Sequence, residues 1–434
     1  MDLRTVTARG LPRYSSAVIF LAACAASPVV LAPGGGITAS HDSVAVWDTA
    51  EEIPGETGED PVDSGDSAEP DDGVEHLYVE GMVHEITLTL SNDGLDDLRR
   101  HPDRYTTAGI DIDGEEFTVG VHIKGSSTWT ELNDKPSFKV DAEFVEDGAE
   151  VMGHSKFNLH NQVLDPMMMS EALTYGFWRD AGLPAARLSY AHLTINKSDY
   201  GVYTVVEPPT REFLKIWFDE PNGNMYENSY QDCDFDAPSC FEKEQDDEGN
   251  DDAIDALCAD AVVRGDAWDD AFLPHMDHDR FFDFLAMEIL LGHWDSYSYD
   301  RSNYRLYHQP VADNWAFIPW SADLSFAYRP WSYPHCNQYA VNPDDYIEGL
   351  VAARCHNSES CLHELATYVT ARADWFETLD AVGRLQEVHD LIKPYVADDP
   401  RKHYSLADFE EHAACVEDLL ATRPAEVRAW AALH

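Results

Sequence analysis

From His76 onward the hydrophobic pattern changes period several times, and each change predicts an element. His84–Leu90 alternates polar and apolar residues, the period of a half-buried strand, and 91–100 follows as a short capped helix. Strands over 109–112 and 117–124 are joined by Asp113-Gly114, a pair suited to a tight hairpin turn. Further strands are expected at 137–141 and 156–160. A helix then runs from Asp165 to about Ala181, closed by Gly182-Leu183-Pro184, and strands at 189–195 and 201–207 flank a turn near Asn196. In the second half, 281–291 is an apolar helix ending at Gly292, too short and interrupted to span a membrane. A polar loop, strands at 303–307 and 315–319, and helical periodicity from Asp344 complete the chain. Strands with one helix, then mainly helices, is the α+β class and is compatible with two lobes.

The segment before His76 has a different character. Arg4, Arg9 and Arg13 precede the apolar run 17–23, which is the layout of an export signal. Leu21-Ala22-Ala23-Cys24 reads as a lipoprotein signal-peptidase site, with Cys24 as the lipidated residue and 1–24 as the signal. Cleavage after Ala32, at Val30-Leu31-Ala32, is the competing reading and gives a secreted protein instead. Residues 25–75 form an acidic tether: few large apolar side chains, many Gly, Pro, Ser, Asp and Glu, and too little burial to offset ordering entropy. The expected globular domain is 76–434, exported and attached to the envelope or cell surface through lipid.

Charge narrows the partners. There are 81 acidic residues against 29 basic ones, a formal net charge of −52, which repels nucleic acid and anionic lipid headgroups. The general acidity reads as solubility, but any anionic substrate then needs a local Lys/Arg cluster or a bridging cation. Eight cysteines fit an oxidising compartment. Cys233 and Cys240 flank one short loop and Cys355 and Cys361 another; a Cys233–Cys240 disulfide is expected. No CxxC or Cys/His spacing suggests zinc.

Several blocks, in order, resemble the CotH (spore coat protein H-like) kinase family across about 76–434: Val119–Ser126, Lys135–Lys139, Asn158–Asn161, the helix from Asp165, Tyr200–Glu207 and Gly223–Glu227. The most specific are Gly292–Tyr297, Asn303–Tyr307 and Phe317–Asp323. The resemblance implies a two-lobed, atypical protein-kinase-like fold, with a strand-rich N-lobe over about 76–207 and a mainly helical C-lobe over 208–434. It also implies phosphorylation of protein using ATP and Mg²⁺ or Mn²⁺.

Phosphoryl transfer needs charge neutralisation, metal ions and a positioned hydroxyl more than covalent chemistry from the protein. On that basis Asp295, in the loop after an apolar helix, is the expected catalytic Asp, and Asn303 and Asp323 the metal ligands. Each alone reads better as a turn residue; as a set within the family's blocks they read as functional. Lys124 and Lys139 are candidates for phosphate contact, and Lys156 is a third, with Glu171 as its ion-pair partner. Glu207, before Pro208-Pro209, is either a hinge contact to adenine or a strand end. Arg301 either contacts phosphate or pairs with Asp300. Many relatives carry two carboxylates in the last block, where this chain has Ser321 before Asp323; relatives with only the second are also common. A surface-binding protein that keeps the fold, as some adhesins do, is the alternative to an enzyme, with a protein acceptor unknown either way.

Overall fold

The computed structural model describes residues 76–228, 234–245, 252–326, 343–344 and 347–434. The signal segment 1–24 with Cys24, the tether 25–75, and Cys233 lie outside the described residues. All described residues belong to the compact unit Ala68–His434.

Strand periodicity builds the first half. In β1 (Val83–Thr89) His84, Ile86 and Leu88 are buried while their neighbours are more exposed, as the alternation predicts. Ser91 caps α1 (Asn92–Arg100) by accepting the Gly94 N–H at 3.0 Å. The hairpin of β2 (Thr106–Ile112) and β3 (Glu115–Lys124) turns at Asp113 (φ 53°) and Gly114 (φ 94°), the positive φ pair that a twisted two-residue hairpin needs. Then come β4 (Ser137–Asp141), β5 (Lys156–His160), α2 (Ser170–Asp180), β6 (Leu188–Ile195) and β7 (Ser198–Val206).

Among the described residues these seven strands close into a barrel in the order β1-β2-β3-β4-β5-β7-β6, with β1 and β6 pairing in parallel. Closure removes exposed edges and lets Ile86, Val121, Phe138, Leu159 and Val205 fill one interior. Helix α2 begins at Ser170, later than the Asp165 expected from the sequence. The Asp165 carboxylate accepts the Met167 and Ser170 N–H groups (3.1 and 2.7 Å) and Met168 takes φ 51°, so a turn occupies 165–169.

The second half begins with α3 (Arg211–Trp217), β8 (Met225–Asn228), β9 (Phe241–Gln245), α4 (Asp252–Ala261) and α5 (Ala267–Phe272). Next come α6 (His278–Leu291), the single-turn α7 (Tyr297–Asp300), β10 (Tyr304–Gln309) and β11 (Asn314–Pro319). Helices α8 (Leu350–Asn357), α9 (Glu359–Phe376), α10 (Ala381–Asp398) and α11 (Leu406–Ala431) close the chain. The strands form an open antiparallel sheet, β11-β10-β8-β9. From Phe281 onward α6 is mostly apolar and is buried throughout, its two acids Asp283 and Glu288 included, with Phe284 stacked on Phe317 of β11 at 4.7 Å. Among the described residues no helix is long and apolar enough to cross a membrane.

A dry ion pair joins the barrel to the helical half. Lys135, just before β4, bonds Asp399, just after α10, and both side chains are fully buried. Asp399 also accepts the Val202 N–H at 3.0 Å. Gly201 makes this possible: at φ 78°, a Cβ there would sit 1.9 Å from the Asp399 carboxyl carbon. Cys355 and Cys361 are joined by a disulfide. Cys240 is also disulfide-bonded, while its expected partner, Cys233, is outside the described residues.

Candidate functional site

A polar cleft of about 520 Å³ gathers Lys124 and Lys139 from the barrel with Asp295, Asn303, Arg305 and Asp323 from the second half. Each arrives by a local device. Gly125 (φ 120°) turns the chain out of β3; a Cβ there would meet the Thr128 hydroxyl at 2.8 Å. Buried Asn161 holds that turn by donating to the carbonyls of Thr128 (3.0 Å) and Lys135 (2.6 Å).

On the opposite wall, α6 ends at Gly292 in the left-handed region, and Asp295 follows. The buried Glu288 carboxylate fixes this loop, accepting the Tyr297 and Ser298 N–H groups (3.1 and 3.3 Å) and the Ser298 hydroxyl. Asn303 (φ 55°) donates its amide to the backbone and side-chain oxygens of Asp295, both at 2.7 Å. Ser321 (φ 48°) turns the chain after β11 so that Asp323 enters the cleft, its carboxylate accepting the Ser321 hydroxyl at 3.2 Å. Two non-glycine residues of the cleft, Asn303 and Ser321, sit at positive φ, backbone strain that the surrounding hydrogen bonds sustain.

The electrostatics of the cleft are unbalanced. Burial, then Asp323 and Asp300, push the Asp295 carboxyl up to about 8. Burial, then Glu171 and Asp165, push Asp323 up to about 7. On the cationic side, burial, Lys139 and Arg305 lower the Lys124 ammonium to about 8 against the pull of Glu171 and Asp323. Arg305 is better served: it bonds Glu227 (3.0 Å) and Glu244 (2.8 Å), and its guanidinium and the Lys124 ammonium each lie 5.4 Å from the Trp320 ring centre.

Burial disfavours the charged forms of both carboxyls, a cost that a bound cation would relieve, and on that ground the residues fit a metal. Asn303 spends its amide N–H on Asp295 and keeps a carbonyl oxygen to offer; Asp323 offers carboxylate oxygens. Among the described residues no group of three or more His, Cys, Asp or Glu converges on a metal position. A hard divalent ion held here would need its remaining ligands from phosphate and water, as Mg²⁺ commonly does.

Other expected residues fall elsewhere. Lys156 is not in the cleft: the β4–β5 register sets it opposite Asp141, and its exposed ammonium pairs there at 3.3 Å. Glu171 is therefore not its partner. Glu171 lies under the cleft, fully buried, and meets His160 Nδ1 at 3.0 and 3.1 Å, while His160 Nε2 meets Lys124 Nζ at 2.7 Å. Glu207 does not line the cleft either; its carboxylate is engaged by the Arg187 guanidinium at 2.6 and 3.0 Å. Arg301 reaches Glu348 at 3.3 Å.

Sequence reasoning quoted the segments holding His160, Glu227, Arg305 and Trp320 without giving those residues roles. The available signal was strand periodicity: Lys156 and His160 share a face of β5. A four-residue separation is roughly 13 Å along a strand, so only one of them can reach the cleft.

The family model for CotH kinase protein matches residues 121–427, a span that holds every cleft residue named here. Invasin CotH2 of Rhizopus delemar is 22% identical over 302 residues, 64% of this chain and 50% of that one, so the chain spans about half the length of this curated relative. Among solved structures, the Helicobacter pylori proinflammatory kinase CtkA aligns over 68% of this chain and 94% of that one. It does so at 10% identity and a TM-score of 0.29, on which nothing further is built. The family match covers well over half of the chain and takes in both walls of the cleft, and the chain belongs to the CotH kinase protein family.

Proposed function

We propose that this protein is an extracytoplasmic kinase that transfers a phosphoryl group from ATP to Ser or Thr hydroxyls of protein. The barrel half and the helical half act as the two lobes of an atypical kinase-like fold. The observation that carries this reading is the meeting of Asp295, Asn303 and Asp323 with Lys124 and Lys139 in one cleft, where burial pushes both carboxyls above their ordinary range. Asn303 and Asp323 hold Mg²⁺ or Mn²⁺, which when bound neutralises phosphate charge and orients the terminal phosphate. Lys124 and Lys139 contact phosphate oxygens. Asp295 positions the acceptor hydroxyl and takes its proton as the new P–O bond forms and the bond to the ADP oxygen breaks. With Ser321 in place of a second carboxylate, the site suits one tightly held cation better than two.

On this reading lipid on Cys24 and an acidic tether over 25–75 hold the domain at the envelope or cell surface. Cys24→Ser then abolishes fatty-acid labelling and membrane retention. A wild-type chain that takes no label and starts near Pro33 is secreted instead.

Incubation of the protein with γ-labelled ATP and Mg²⁺ or Mn²⁺ tests the kinase reading. Label on the protein itself or on an added protein acceptor, stable as phospho-Ser or phospho-Thr, supports it. Absence of both, with correctly folded protein, moves weight to the second reading, a surface-binding protein on the same fold. That reading has its own support in the name invasin carried by the Rhizopus relative.

A further inference from the structure

Glu171 and Lys124 do not touch; a histidine stands between them. We infer that His160 is a positioning residue that, as a neutral imidazole, couples the buried Glu171 carboxylate to Lys124 and holds that ammonium charged and aimed at the nucleotide phosphates. The phosphate half of this statement rests on the nucleotide reading above; the coupling does not.

Geometry sets the direction of each bond. Glu171 is fully buried and accepts from His160 Nδ1 (3.0 and 3.1 Å), Gln162 Nε2 (3.0 Å) and the Thr204 hydroxyl (3.1 Å). With the imidazole proton committed to Nδ1, Nε2 has a lone pair, and it accepts from Lys124 Nζ at 2.7 Å. Negative, neutral and positive groups then lie in one line from α2 through β5 to the end of β3. Edge-on contact with Trp320, 6.0 Å between ring centres, holds the imidazole from the cleft side.

The surrounding charges support the same protonation states. Lys124 faces Lys139 on β4 and Arg305 on β10, which with burial lower it, and Glu171 on α2 and Asp323 after β11, which raise it. His160 faces Glu171, Lys124 and Lys139. Burial and the two lysines hold it below its ordinary value despite Glu171, so it is neutral at physiological pH. Burial alone would raise Glu171, but His160, Lys124 and Gln162 together bring it below its usual range. An imidazole in this position lets a dry carboxylate support an ammonium that two neighbouring cations oppose.

The test reads the lysine itself. In nucleotide-free, full-length protein, the pH dependence of Lys124 acylation by a competitive labelling reagent, followed by mass spectrometry, gives the titration midpoint of its amine. Three proteins are compared: wild type, His160→Gln and His160→Leu. Gln can accept from Lys124 and donate to Glu171, whereas Leu can do neither. His160→Leu is expected to lower the midpoint by about half a pH unit or more, the effect of losing one hydrogen bond to the charged form, and His160→Gln to restore it. At pH 7.5 the Leu variant also binds Mg²⁺-ATP about 10-fold more weakly, with Gln within about 3-fold of wild type. Should the Leu variant not fold, Glu171→Gln serves, with the same downward shift expected. Equal midpoints in all variants, or Gln behaving as Leu, overturn the coupling. A wild type that binds no ATP defeats the nucleotide reading, while the lysine titration still decides the role of His160.

Discussion

Lys135 and Lys124 lie eleven residues apart, on either side of the same turn, yet their surroundings are opposite. Lys135 is sealed against Asp399, and that carboxylate also accepts the backbone N–H groups of Val202 and Arg401 (3.0 and 2.7 Å). Lys124 lines an open cleft, faces two other cations, and shares the space with carboxylates pushed above their ordinary range. In the first region the charges are satisfied within the chain, which is what a structural tie between segments requires. In the second they are left unbalanced, which is costly unless something that is not protein completes them. The lesson is that a buried charge marks a fold contact when its partners are all present and a functional site when they are missing.

The comparison predicts separable failures. Lys135→Ala leaves Asp399 buried and uncompensated, and should cost about 3–5 kcal/mol in urea unfolding, without altering nucleotide affinity per folded molecule. Asp295→Asn should do the reverse: unfolding near wild type and nucleotide affinity retained, with transfer slowed by about 10²–10⁴-fold in single-turnover assays. Asp323→Asn keeps shape and removes charge, so metal-dependent ATP affinity should fall by about 10–10³-fold in calorimetry while the fold survives. If Lys135→Ala lost nucleotide binding while staying folded, the division between the two regions would be wrong.

Smaller, but more diagnostic, is the pH dependence of stability without metal. A folded-state carboxyl raised to about 7, as at Asp323, keeps a proton that the unfolded chain releases near pH 4. Native protein binds more protons than unfolded protein across that window, so stability falls as pH rises from about 4 and the loss is complete above about 7. Asp323→Asn removes this penalty. Its melting temperature should exceed wild type by up to about 5 °C at pH 8, the effect of up to about 4 kcal/mol for a shift of about three units in a domain of this size, by less at pH 5, and not at all below about pH 4. Saturating Mg²⁺ with nucleotide should reverse the order by stabilising wild type.

Much of this architecture was legible in the chain, because period and turn chemistry are local. The 113–114 hairpin, the strands around it and the apolar helix ending at Gly292 all follow from short-range pattern. Asp295, Asn303 and Asp323 could be named because they stand together in the blocks that resemble the CotH family, each beside an apolar element. Barrel closure could not be read, since the parallel β1–β6 pairing joins segments a hundred residues apart and leaves no local trace. The pairing of Lys156 with Glu171 failed for a related reason. The likeness to protein kinases pairs Lys156 with a glutamate on the following helix, whereas cross-strand register gives it to Asp141 and brings His160 to Glu171. Lys135 carries no local mark of its partner, which lies 264 residues further on.

The account turns on the cleft being completed by a cation and a nucleotide together. Calorimetric titration of wild-type protein with ATP, run with Mg²⁺ or Mn²⁺ and repeated after chelation, measures that directly. The prediction is saturable binding with metal, weakened at least about 10-fold when the metal is removed, as expected for a carboxylate–cation–phosphate bridge. Nucleotide affinity that is absent, or indifferent to metal, in folded protein would contradict the kinase account and leave the surface-binding reading in its place.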